Sequence, residues 1–190
     1  MRKIETKESR EKKDKRNKLI IGIILIGLMV VSTAGYASFG GGGGDDSESK
    51  VVYNGYEFFE LGNGYWGTVY GEGELITAYN PEETEEIIVP YVTLNQYYGN
   101  ILYFDSESKE IKDEISRVLF PYVTRIQDGC LYEDDCQGDW PIKNCTSNMI
   151  IVRNSPETYI QKEDNCIMIN YVNESLKVAD AFIFRAFEIT

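Results

Sequence analysis

Four cysteines, at 130, 136, 145 and 166, and the absence of histidine from all 190 residues set the chemistry open to this chain. Without imidazole there is no Ser–His–Asp or Cys–His nucleophile and no histidine-held metal. The cysteines can serve as a redox pair, as zinc ligands or as structural bridges. A redox pair favours Cys-x-x-Cys with a helix amino terminus to stabilise the thiolate, and the sequence offers neither around Cys130. A four-cysteine zinc site needs two closely spaced halves, which are missing. Two disulfides remain the favoured use. Three pairings are open, of which Cys130–Cys136 with Cys145–Cys166 is preferred. The first closes a short loop. The second ties that loop to the last strand and contributes about 3 kcal/mol by loop-closure entropy.

Carboxylates are the other chemistry within reach. Glu133, Asp134, Asp135 and Asp139 crowd one loop beside Trp140. Oxygen ligands of this kind suit Ca²⁺, but the Asp-x-Asp-x-Asp-Gly spacing of a calcium loop is missing, so a solvated acidic loop is favoured. No cofactor is expected. Rings are abundant, with 14 tyrosines and two tryptophans. Tyr56, Tyr65, Trp66 and Trp140 are the candidate recognition residues. Strand alternation should send about half of the first three toward a core and leave the rest for a protein or glycan partner. Asn144-Cys145-Thr146 and Asn173-Glu174-Ser175 read as glycosylation sequons.

The elements that must position these groups begin with an address. Residues 1–18 hold nine Lys/Arg against four Asp/Glu. Leu19 to Phe39 then carries no charge, about the length a helix needs to cross a bilayer core. The basic flank predicts a single pass with the amino terminus cytoplasmic and the rest outside. The strictly aliphatic part, Leu19–Val31, also suits a cleaved signal peptide, with small residues at Ser32–Ala37 as the cleavage site. Residues 40–50, with five glycines and three acidic side chains, read as a flexible tether.

Residues 51–190 have the length of one domain. Of the chain's 19 basic and 31 acidic residues, ten and twenty-seven lie beyond Lys18, a balance near −17. Such a surface repels nucleic acid and excludes that partner class. The expected fold is α+β. Val51–Phe59, Gly64–Tyr70 and Glu74–Tyr79 are predicted antiparallel strands, the first divided by Asn54-Gly55. Glu86–Val92 is predicted as a further extended piece at a sheet edge. Ile101–Asp105, a helix over Ser108–Phe120 capped by Asp105 or Ser106, and Tyr122–Gln127 form a predicted βαβ unit. Strands at Met149–Arg153, Thr158–Lys162 and Cys166–Tyr171 lead to a helix over Ser175–Phe187, with Leu176, Ala179, Phe182, Ile183 and Ala186 facing the core. A βαβ unit followed by ββα suggests a thioredoxin-like arrangement, with the cysteine loop in place of a middle helix.

The charged tail, membrane segment and polar linker lead into Tyr53-Asn54-Gly55-Tyr56-Glu57-Phe58. Tyr79-Asn80-Pro81-Glu82, Asn144-Cys145, Asn165-Cys166-Ile167-Met168-Ile169 and an aromatic last helix follow. This order resembles small uncharacterised membrane-anchored proteins of symbiotic archaea with small genomes. The resemblance implies an archaeal envelope setting and is compatible with the preferred cysteine pairing. It implies no activity. The expected role is non-catalytic, in recognition or envelope assembly. An exported enzyme, acting on glycans through carboxylates or on thiols, is the alternative.

Overall fold

A computed structural model describes residues 49–132, 136, 138–173 and 175–190. The basic tail, the apolar segment Leu19–Phe39 and residues 40–48 of the tether lie outside the described residues. Among the described residues no helix is long and apolar enough to cross a membrane.

The domain is α+β, with one antiparallel and one mixed sheet. The antiparallel sheet is a meander of β1 (Lys50–Tyr53), β2 (Tyr56–Leu61), β3 (Tyr65–Tyr70) and β4 (Gly73–Thr77). Asn54-Gly55 divides the first predicted run. Tyr53 pairs with Tyr56 across it, and its two residues take φ of 47° and 86°, the left-handed pair that a two-residue hairpin needs. Alternation then sorts the side chains. Phe58, Thr68, Leu75 and Thr77 are buried. Phe59 and Val69 point to the other face and are exposed.

Asn80-Pro81 does more than end the meander. Asn80 accepts from the Glu83 N–H at 3.1 Å and Glu83 Oε2 accepts from the Asn80 N–H at 2.8 Å, a capping box that starts a short α1 (Pro81–Thr84). The predicted edge piece at Glu86–Val92 forms no strand. Val92 is buried in the core, Ile87 and Val89 pack half-buried against it, and Pro90 has no N–H to give a ladder.

The mixed sheet has the order β6-β5-β7-β9-β8. Its strands are β5 (Ile101–Ser106), β6 (Arg125–Asp128), β7 (Met149–Asn154), β8 (Tyr159–Glu163) and β9 (Cys166–Tyr171). β6, β5, β7 and β9 run parallel, and β8 pairs antiparallel with β9 at the edge. β5 and β6 are joined by α2 (Lys109–Leu119), giving the predicted βαβ unit. The cap of α2 is Ser108, whose Oγ accepts from the Ile111 N–H at 3.3 Å, and not Asp105 or Ser106. Asp105 is the penultimate residue of β5 and is engaged elsewhere. β6 starts three residues later than predicted. Residues 120–124 are spent on the turn out of α2, where the Tyr122 N–H donates to Leu119 O at 2.9 Å.

The last helix, α3 (Ser175–Ala186), is buried nearly all round. Val178, Ala181 and Phe184 are covered as well as the predicted Ala179, Phe182, Ile183 and Ala186. Phe184 meets Phe58 of the meander at 5.6 Å between ring centroids, while Phe182 meets Tyr97 at 6.2 Å. The helices therefore form a middle layer. The meander covers one side, and Leu102, Phe104, Ile150, Val152, Ile167 and Ile169 of the mixed sheet join the other side of the same core. The opposite face of the mixed sheet carries Tyr103, Met149, Ile151 and Cys166, packed against Leu131 and Cys145 of the cysteine loop.

Tyr97 is fully buried with no hydrogen-bond partner for its hydroxyl. Burial pushes its pKa upward. Tyr97→Phe should raise the unfolding free energy by about 1 kcal/mol in denaturant titrations, because it deletes an unpaired polar atom and keeps the ring.

Candidate functional site

In a sheet that runs both ways from its first strand, the carboxyl ends of the parallel strands usually hold the ligand. Here that end is closed. Asp105 of β5 binds Arg153 of β7 at 2.8 Å and accepts from the Leu131 N–H at 2.9 Å. Arg153 also donates to the carbonyls of Asp105 and Val152, at 2.9 and 3.0 Å. Glu107 adds a looser contact with Arg153 Nε at 3.7 Å. These groups satisfy one another and anchor the cysteine loop.

The amino ends are different. Asn100, Asn148 and Asn165 each stand one residue before a strand, respectively β5, β7 and β9. Those three strands are adjacent and parallel, so their leading residues fall along one rim. Met149 pairs with Cys166, which puts Asn148 and Asn165 level with each other. With Gln96, Thr146 and Ser147 they line a groove of about 510 Å³, floored in part by Ile101 and Tyr103.

The amides are held by backbone. Asn148 Nδ2 and Asn100 Nδ2 donate to Gln96 O at 3.0 and 3.2 Å, and Asn165 Nδ2 donates to Thr146 O at 3.2 Å. Among the described residues no hydrogen bond engages Oδ1 of these three asparagines. Gln96 Oε1 accepts from Lys162 Nζ at 3.1 Å, which fixes the orientation of its amide. Its Nε2 is buried without a partner. The rim thus offers acceptors from the asparagines, above one buried, unpaired donor. No carboxylate or thiol lines it.

Two disulfides hold the loop that forms one wall. Cys130 joins Cys136 and Cys145 joins Cys166, with Cα separations of 5.5 and 4.9 Å. This is the pairing preferred from spacing. Cys145–Cys166 matters more to the groove, because Thr146, Ser147 and Asn148 follow one cysteine and Asn165 precedes the other. The Asn165 N–H donates to Cys145 O at 3.0 Å, beside the bridge. Lys143 Nζ lies 4.7 Å over the Tyr103 ring, and an added Cβ at Gly129 would come within 3.3 Å of that ring. A side chain there would press on that ring and on the Pro141 carbonyl, 3.2 Å away.

The residues singled out in the sequence scatter. Tyr56 stacks on Tyr70 at 6.0 Å, and both it and Trp66 pack against the core. Tyr65 is exposed on the outer face of the meander, and Trp140 is exposed in the cysteine loop. These four rings form no common surface. Asp139 is exposed, while Glu133, Asp134 and Asp135 lie outside the described residues. Among the described residues no group of three or more His, Cys, Asp or Glu could hold a metal ion. Asn144 and Asn173 are both exposed. Asn144 Oδ1 accepts from Thr146 Oγ1 at 2.6 Å at the rim of the groove.

The asparagine rim escaped the sequence reading. Its signal was a repeated pattern, one asparagine directly before an apolar strand, at Asn100-Ile101, Asn148-Met149 and Asn165-Cys166. No protein-family model, curated protein or solved structure matches the chain.

Proposed function

We propose that this chain is a single-pass membrane-anchored protein displaying a recognition domain outside the cell, and that the domain binds neutral, hydroxyl-rich glycans in the amide-lined groove. One observation carries the reading: three asparagines at the amino ends of three neighbouring parallel strands converge on one rim with a glutamine and two hydroxyl side chains. Amides and hydroxyls both donate and accept, which suits sugar hydroxyls. No carboxylate, imidazole or thiol lines the groove to activate its Ser147 and Thr146 hydroxyls, so binding is favoured over catalysis. The anchor rests on the uncharged segment Leu19–Phe39 behind a basic tail. The archaeal envelope setting and glycan attachment at Asn144 and Asn173 belong to the same reading. A thioredoxin-like relationship for the mixed sheet draws support from its βαβ start and its final helix, while β7 exceeds that pattern.

The test is retention of the full-length protein, in mild detergent, on an array of neutral and acidic oligosaccharides. Neutral glycans should bind, and Asn100→Ala and Asn165→Ala should each weaken binding about tenfold, roughly one lost hydrogen bond. Failure to retain any neutral glycan, or retention unchanged by both substitutions, overturns the reading.

A further inference from the structure

We infer that the outer face of the meander is a self-association surface, occupied by a second copy of this chain in a face-to-face twofold dimer. This face belongs to a different sheet from the one that lines the glycan groove. The face is laid out in rows fixed by the strand register. Lys50, Phe59, Gly67 and Ile76 pair directly across β1, β2, β3 and β4. In the next row Val52 pairs with Glu57 and Val69 with Glu74, and Leu61 pairs with Tyr65 in the row on the other side. Phe59, Val69 and Val52 are exposed, at 37, 68 and 59 %. Over Gly67 the missing side chain leaves a mostly apolar groove of about 140 Å³, walled by Phe59, Leu61, Val69 and Ile76, with Glu74 also in its lining.

A large residue thus sits directly beside a hole. An axis parallel to the strands, midway between β2 and β3, turns this pattern onto itself. Phe59 of each copy then enters the groove over Gly67 of the other. The same axis sets β1 over β4, which places Lys50 of one copy opposite Ile76 of the other and one row from its Glu74. In the single chain Lys50 is held by Glu57 at 2.8 Å and lies 5.5 Å over the Phe59 ring, so it is already posted at the edge of the contact. Twofold contacts are self-complementary in this way, and aligned sheets pack face to face through interdigitating side chains. Two rows of four strands and a third row on β2 and β3 alone, with strands about 4.8 Å and rows about 6.8 Å apart, give roughly 330 Å² per copy. That is under half a standard stable interface, so the dimer is a weak one, micromolar or looser.

Sedimentation velocity of the full-length chain in density-matched detergent, over a concentration series, tests this. The wild-type chain should pass from monomer to dimer across the series. Gly67→Phe fills the hole and should leave a monomer. An added Cβ there has the Leu61 side chain as its nearest neighbour, at 3.5 Å, an ordinary contact distance, so the strand can carry a side chain. Phe59→Ala should raise the dissociation constant about tenfold. Val69→Glu, at an exposed site facing Glu57 of the other copy, should dissociate the dimer without any demand on folding. The decisive variant is the exchange Phe59→Ala with Gly67→Phe in one chain, which swaps knob and hole and should restore the dimer. A wild-type chain that is monomeric at every concentration overturns the inference, as does a dimer indifferent to Gly67→Phe. So does a double variant as monomeric as Gly67→Phe alone, or a monomer that instead binds neutral lipid vesicles through Phe59 and Val69.

Discussion

Asp180→Asn should make the folded domain more stable at pH 8 and leave it nearly unchanged at about pH 4. Asp180 sits in the middle of α3 with its side chain wholly enclosed. Its Oδ2 accepts from the Tyr79 N–H at 2.9 Å, while Oδ1 has no partner. Burial lifts its pKa to about 8, and the nearby Glu114 adds to the rise. The Tyr79 and Ala78 N–H groups and the Arg117 guanidinium pull the other way without prevailing. The carboxyl is therefore neutral when folded at moderate pH and ionised when unfolded. Between about pH 4 and pH 8 the folded chain holds a proton that the unfolded chain has lost. Stability from this group accordingly falls as pH rises, by about 1.4 kcal/mol per pH unit, and levels off above the folded pKa. Asparagine keeps the acceptor for Tyr79 and cannot ionise. Denaturant midpoints of the two proteins should diverge steadily from pH 5 to pH 8, with the variant the more stable at the upper end by several kcal/mol. Parallel midpoints across that range would show that Asp180 is ionised in the folded chain.

Asp180 also shows where sequence reading stops. The stripe Ile111, Ile115, Val118 and Leu119 announced α2 because one face of that helix meets solvent. α3 has no such contrast. The meander covers part of the side that would otherwise be wet, and the aspartate is buried beneath Ala78 and Tyr79, which follow β4 about a hundred residues earlier, and beside Glu114 and Arg117 of α2. That sheet was itself legible, from β-rich runs and the Asn54-Gly55 turn. What alternation could not settle was which of its two faces meets the helices, since both carry rings. The register of the β2–β3 hairpin decides it, sending Tyr56 and Trp66 inward and Tyr65 outward. The asparagine rim was invisible for a related reason. β7 and β9 are neighbours although β8 lies between them in the chain, and only that adjacency turns three separate Asn–strand junctions into one site.

Removing the Cys145–Cys166 bridge should cost both stability and the groove. The bridge spans 21 residues of sequence, including β7 and β8. Loop-closure entropy makes its contribution about 3 kcal/mol, against about 2 kcal/mol for Cys130–Cys136, which spans only six. Location separates the two further. Cys166 is fully buried at the start of β9, against Met149 and Ile151, so the bridge clamps the loop onto that face of the sheet. Thr146, Ser147 and Asn148 leave the clamp on one side and Asn165 arrives on the other. Cutting it frees one wall of the groove from its floor. Cys130–Cys136 instead closes a small loop beside Asp139 and Trp140, away from the asparagines. In denaturant titrations Cys145→Ala with Cys166→Ala should lower the unfolding free energy by about 3 kcal/mol. On the oligosaccharide array the same variant should lose retention, whereas Cys130→Ala with Cys136→Ala should keep it. Equal binding by both double variants would detach the bridge from the site. A stability loss confined to the Cys130–Cys136 variant would reverse the assignment of the clamp.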